Sequence, residues 1–465
     1  MFKKVLLTLL VIATAFVMVA CNKDGDNSGL LVQKEGDVLV IRAWNTEFQD
    51  RFRAYYPGYV KTNTDGTDLL DDGTIVKWVI VANDNNAYQL ALDSALAQQE
   101  NAAANDKVDI FLIEADYATK YANDRFALDV IGELGIRESA LANQYQYTKD
   151  IVTDKDGILR AVSWQATPGL FAYRADIARE VLGTDNPTQV QAALSDWTKF
   201  NQVAAQMAAK GYKMLSGYDD AYRTFSNNFS KPWVDENDNV VLDQKVLDWI
   251  KQTKEFSTKG YNNGNGLWSE GWQKDQGPDG DVFGFFYSTW GINFTLLGNS
   301  LADPDAPKEV GNGLFGEYRV VYGPESYYWG GTWIVGAKGT DNPTLVKDIM
   351  LKLTANEVIM EQITRDVEDY TNNKAAMTKI ANDPTYGSAF LGGQNHIALF
   401  TGAAENIDMS NASPYDQGLN EGIQNAMKDY FSGEATFAKA WENFTNIIKE
   451  KYPELKMPAA PAEPK

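Results

Sequence analysis

The 465-residue chain has one cysteine and one histidine. A disulfide within the chain is therefore excluded, and a Cys/His zinc centre nearly so. Any Ser-His-Asp or Cys-His machinery would have to use His396 as its base. That residue follows a Gly/Gln/Asn loop, no G-x-S-x-G elbow occurs, and a histidine that hydrogen-bonds locally is expected. No G-x-x-x-x-G-K-[ST] phosphate loop is present either. Positive charge is scarce: 42 Lys and Arg stand against 63 Asp and Glu, for a net charge of −21. Nucleic acid is thereby excluded as a partner, since phosphate binding needs a basic face. Long hydrophobic runs are scarce too. Val5 to Ala20 is uncharged but only 16 residues long, short of the ~20 that a membrane span needs, and no other run comes near. These absences leave no catalytic residue, metal site or cofactor to assign. A glycosidase needs only two carboxylates. Such a pair is available among 63 acids, but no motif marks one.

What remains is an ordinary globular composition, 44% hydrophobic and 23% charged, at a length that implies two or three domains. Lys3 and Lys4 precede the apolar run, and Met18-Val19-Ala20-Cys21 closes it. This arrangement resembles the bacterial lipoprotein signal, in which the peptide is cut before the cysteine and the new N-terminal Cys21 is diacylated. Residues 1–20 are then a signal peptide. Residues 21–35, polar and glycine-containing, are a flexible tether.

The mature chain opens with strands alternating with helices, a pattern of parallel pairing. Strands are expected at Val38–Trp44, Val76–Val81 and Val108–Ile113. Helices are expected at Phe48–Tyr56 and Asn86–Ala104, the second with Ala87, Leu90, Ala91 and Ala95 on its buried face. Ala161–Arg174, AVSWQATPGLFAYR, reads as one extended run, because Val162, Trp164 and Ala166 alternate with polar residues and Pro168-Gly169 rules out a helix. Fourteen extended residues span roughly 45 Å, more than twice an ordinary strand. The run is therefore expected to cross between two lobes, with Trp164 and Gln165 at the junction. Asp235 to Asn239 superficially resembles a calcium loop, but it lacks the glycine and distal glutamate and reads as a hairpin turn. The C-terminal third is mostly helical: 345–355, 357–367, 420–431 and 437–451. Residues 453–465 are expected to be disordered.

Ligands of parallel sheets bind beyond the carboxyl ends of the strands. Here those ends carry Trp44, Asn45 and Glu47, then Asn83, then Glu114 and Asp116. Later candidates are Tyr218, Asp219 and Arg223 after an expected strand at 214–218. Two aromatic clusters add Tyr287 and Trp290, then Trp329 and Trp333. Phe283 and Phe286 are expected to be core. Aromatic faces beside carboxylates, amides and arginine suit a neutral sugar, whose C–H faces stack on rings and whose hydroxyls take paired hydrogen bonds. A peptide or polyamine could use the same groups.

Taken in order, the lipoprotein signal, VLVIRAWN, KVDIFLIEADY, VSWQATPGLFAYR and FYSTWGIN resemble the family 1 extracellular solute-binding proteins, which include the maltose-binding protein. The resemblance implies an α/β, two-lobed periplasmic-binding-protein fold of the class II type, with ligand in the cleft between the lobes. Lobe one would take 36–163 and 303–342, and lobe two 164–302 and 343–452. Asp116 corresponds to a sugar-binding acid and Trp290 to a stacking tryptophan. The acid often found at the crossing is replaced by an amide near Gln165. The implied role is a monomeric, lipid-anchored binding protein on the extracellular face of a bacterial membrane of the Gram-positive kind, capturing a sugar, expected to be an oligosaccharide, without catalysis, and docking on ABC permease subunits. The alternatives are a peptide or polyamine receptor of such an importer, or a cell-surface glycoside hydrolase.

Overall fold

The computed structural model describes residues 35–464. The expected signal peptide, Cys21 and nearly all of the expected tether lie outside the described residues. Twelve strands occur among the described residues. The first six are β1 (Val38–Ala43), β2 (Tyr59–Thr62), β3 (Asp68–Leu70), β4 (Ile75–Ile80), β5 (Ile110–Glu114) and β6 (Val162–Ser163). The rest are β7 (Gly169–Arg174), β8 (Leu215–Gly217), β9 (Asn262–Asn265), β10 (Gly284–Ser288), β11 (Tyr318–Val321) and β12 (Thr332–Gly336).

Seven of them form one sheet in the order β2-β3-β4-β1-β5-β12-β6. Its centre is parallel: β1 lies between β4 and β5, with Ile41 opposite both Trp78 and Ile110. This is the pairing that strand–helix alternation implies. A second sheet has the order β10-β7-β11 and is antiparallel, and β8 pairs with β9 in a third. The run 161–174 crosses between the first two. Its start, β6, pairs with β12 in the first sheet, and its end, β7, is central in the second.

Two more segments make the same crossing, and all three are hydrogen-bonded together. Gly169 N donates to Tyr327 O at 2.7 Å and Trp329 N to Thr167 O at 3.0 Å. On the other edge Ala166 N donates to Tyr370 O at 3.1 Å and Asn372 N to Trp164 O at 2.7 Å. Gly169 is required for this approach, because a Cβ there would lie 2.0 Å from the Tyr327 ring.

Several expectations need correction. Residues 303–342 do not act as one block: β11 pairs with β7 in the second sheet, and only β12 returns to the first. The helix Pro343–Thr354 packs under the first sheet through Val346, Ile349, Met350 and Leu353, not with the second. Burial stabilises by about 1.5–3 kcal/mol per such side chain, so Leu353→Ala alone would loosen this layer. The helix Ala87–Ala97 buries Tyr88, Leu92 and Leu96 and leaves Leu90 67% exposed. The buried face is therefore turned by one to two positions from the expected Ala87–Leu90–Ala91–Ala95 face, and the Tyr88 hydroxyl, donating to Leu112 O at 2.6 Å, fixes it. The tail is ordered, since Leu455 is buried, Lys456 bridges to Asn239 and the Tyr430 hydroxyl donates to Glu463. Residues 234–240 do form a turn closed by a Val234–Val240 bridge, with Asp235 accepting from Asn237 N and Asn239 N. Helices Lys374–Ala381 and His396–Ala404 had not been anticipated.

Candidate functional site

Because β1, β4 and β5 are parallel, their carboxyl ends share one edge. The residues just beyond them line a cavity of about 770 Å³: Trp44, Asn45 and Glu47 after β1, Asn83 after β4, and Glu114 with Asp116 at the end of β5. The facing wall comes from the second half of the fold. Arg223 and Trp268 follow β8 and β9, while Trp290, Asn293 and Phe294 follow β10. The crossings supply Gln165, Trp329 and Asp369.

Gln165 is buried at the crossing. Its Nε2 donates to Glu47 Oε1 and to Asp369 Oδ2, each at 3.0 Å, so one amide ties the first wall to the third crossing. Burial raises the Glu47 carboxyl well above the ordinary glutamate range. Asp369 adds to this, and Arg51, 4.0 Å away, opposes it. Glu114 caps the helix Ala115–Ala122 by accepting from Asp116 N at 2.8 Å. Burial, then the neighbouring Asp116 charge, raises it too. Asp116 is paired across the cavity with Arg223, whose Nη2 lies 3.1 Å from both carboxylate oxygens. The same guanidinium lies 4.9 Å from the Trp329 ring centre.

The opposite wall is aromatic. Trp290 donates through Nε1 to Trp329 O at 2.8 Å, and the two rings meet edge to face with centres 5.2 Å apart. Trp268 lies parallel to Trp290 at 6.0 Å and is 47% exposed. Its φ of +69° is a strained conformation for a tryptophan. The loop is held from behind: Leu267 N donates to Asp219, and Trp272 Nε1 to Asp220. Burial pushes those two carboxyls up to about 6 and about 7, with Asp219 adding to the shift of Asp220. A π-helical turn at Ile292–Leu296 presents Asn293 and Phe294, the latter 73% exposed. Gly330, at φ +75°, leaves room for Trp290, since a Cβ there would lie 2.7 Å from its Nε1. A smaller cavity of about 90 Å³ shares Asp116, Arg223 and Gly330 with the large one.

Five expected residues do not reach the main cavity. Trp164 points the other way from Gln165, as alternation demands, and packs on Phe48 in the first-sheet core. Tyr287 is fully buried and donates to Gln276. Trp333 is buried and donates to Thr148 O at 2.7 Å. Tyr218 packs against Phe431, and Asp219 is the support for the Trp268 loop just described. Phe283 and Phe286 are core. Glu368, Asp369, Asn293, Phe294, Asp50 and Arg51 line the cavity without having been anticipated. Trp268 lines it too, and it belongs to a run of aromatics in the sequence that continues to Trp290. His396 is buried against Tyr386 and Phe400, behind the cavity-lining Glu368 and not itself in the lining; burial lowers its pKa and Glu368 opposes that shift. Among the described residues no group of His, Cys, Asp and Glu could hold a metal, and no helix is long and apolar enough to cross a membrane.

A scan against protein-family models and a search of curated proteins both returned no match. Solved structures do match. A family 1 extracellular solute-binding protein is 15% identical with a TM-score of 0.70, over 89% of this chain and 99% of that one. A binding protein associated with an ABC transporter of B. animalis subsp. lactis, in complex with β-1,6-galactobiose, is 16% identical with a TM-score of 0.64, over 91% and 100%. The galacto-N-biose/lacto-N-biose I-binding protein of a Bifidobacterium longum ABC transporter is 13% identical with a TM-score of 0.62, over 93% and 100%. These neighbours are binding proteins and not enzymes. The chain has the two-domain α/β fold of the family 1 extracellular solute-binding proteins.

Proposed function

We propose that this chain is the substrate-binding protein of an ABC importer, capturing a saccharide in the 770 Å³ cavity and delivering it to membrane permease subunits. It would work as a monomer on the extracellular face of the membrane, held there by lipid on Cys21. Its two lobes would be built one on each main sheet. One observation carries the reading: a wall of carboxylates and amides faces a wall of tryptophans across a cavity of small-molecule size. Carboxylates and amides bond hydroxyls, and indole faces cover C–H surfaces. The several separate aromatic faces favour an oligosaccharide. Ligand would favour a closed state through contacts made with both walls at once.

Binding without catalysis fits the carboxylates themselves. Glu47 and Asp369 both accept from Gln165 Nε2 at 3.0 Å, so this neighbouring pair of carboxylates is engaged by a protein amide. Calorimetric titration against mono- and oligosaccharides, peptides and polyamines tests the reading. Saccharide binding is expected; silence towards every sugar with a response to peptides would overturn it. Reducing ends released on prolonged incubation with oligosaccharides would overturn the claim of no catalysis.

A further inference from the structure

The charged groups of the cavity do not balance. Six carboxylates line it, Glu47, Asp50, Glu114, Asp116, Glu368 and Asp369, against the guanidiniums of Arg51 and Arg223. That ratio is twice as acid-rich as the 63 to 42 of the whole chain. Both arginines are already committed, Arg51 beside Glu47 and Arg223 to Asp116. Among the described residues, Asp50, Glu114, Glu368 and Asp369 form no ion pair; Glu114 feels Arg223 only at a distance, and Glu368 faces the His396 imidazole, which burial keeps neutral. A carboxylate drawn out of water without a partner is costly, and a neutral ligand that excludes water from this cavity would raise that cost.

The walls also show what a cation meets here. Arg223 already places a positive group between a carboxylate, Asp116, and the face of an indole, Trp329. Three further groups of the same two kinds, Glu114, Glu368 and Trp290, line the cavity without a cation in direct contact. Indole faces serve sugar rings and cations alike, through C–H contacts in one case and the ring quadrupole in the other.

From this juxtaposition of unpaired carboxylates and indole faces we infer that the preferred ligand is a cationic saccharide, a sugar carrying a protonated amine, and not a neutral one. The inference rests on the saccharide-binding reading above and narrows it to one substrate class. The ammonium group takes the place of a missing lysine or arginine, and the rings take the aromatic wall. It also draws Glu47 and Glu114 back towards ionisation in the field of Asp50, Asp116, Glu368, Asp369, Arg51 and Arg223, so binding near neutral pH releases protons.

The test is calorimetry on the soluble chain with hexosamines and their β-linked dimers, the N-acetylated forms of the same sugars, the plain hexoses, and spermidine. The N-acetyl forms keep the ring and remove the charge. The amino sugars are expected to bind at least about tenfold tighter than their N-acetylated counterparts, an advantage that shrinks as salt is raised. Their heat of binding should change with the ionisation enthalpy of the buffer, and that of the plain hexoses should not. Glu114→Gln should reduce the ratio of amino to N-acetyl affinity. Neutral sugars binding as tightly as amino sugars would overturn this inference and leave the saccharide reading intact. Spermidine binding with no response to any sugar would overturn both.

Discussion

The two walls of the cavity are built from different material for different reasons. The first wall follows parallel strands, and each strand end leads into a helix whose first N–H groups need acceptors. Glu114 meets that need directly, and Asn45 accepts from Glu47 N. Part of the polarity on this side is therefore required by folding alone. The second wall has no such requirement. Trp268 and Phe294 remain 47% and 73% exposed, and Trp268 is held in a strained conformation by buried aspartates. Large exposed rings that the core does not use are the stronger sign of function.

That contrast can be broken most severely at Trp290. Trp290→Ala removes a ring and the bond to Trp329 O, and should weaken saccharide binding by about a hundredfold, roughly 3 kcal/mol, with the far-ultraviolet circular dichroism unchanged. Unaltered affinity would take the aromatic wall out of the site. Gly330→Ala tests the same ring without touching it. Its Cβ displaces Trp290 from a backbone at φ +75°, so about tenfold weaker binding and about 1–2 kcal/mol lower stability in urea are expected. Arg223→Gln unpairs Asp116, whose side chain is 53% exposed. An exposed pair is worth about 0.2–1 kcal/mol, so neutral-sugar affinity should fall by less than about fivefold, and less again in high salt. Trp333→Phe sharpens the contrast from the other side. It should cost about 1–2 kcal/mol of stability through the lost bond to Thr148 O and leave the titration unchanged.

The first wall was legible in the sequence because strand–helix alternation fixes both the parallel pairing and the edge at which strand ends collect. Six residues expected on this logic, from Trp44 to Asp116, line the cavity, and Gln165, Arg223, Trp290 and Trp329, expected on other grounds, join them. Aromatic residues were harder to sort. Tyr287 lies on β10, where every residue is buried, so period two carries no information there. Trp333 is hidden in the same way on β12. Glu368 and Asp369 carried no signal, because the third crossing joins 164–166 through a few isolated bonds with no strand pattern of its own. The placement of β11 was misjudged for a related reason. Two short strands eleven residues apart, Tyr318–Val321 and Thr332–Gly336, belong to different sheets, and only the long-range pairing of each decides which.

The three crossing segments lie side by side as a narrow ribbon, with 164–169 in the middle. A hydrogen-bonded ribbon resists shear in its own plane and yields to bending across it, as a strap hinge does. Its axis is therefore set by three strands instead of by one flexible link. The same ribbon carries Gln165, Trp329 and Asp369 into the cavity. If the two lobes close as proposed, whatever presses on those side chains presses on the bearing itself, so sensing an occupant and turning would fall to the same three-stranded ribbon.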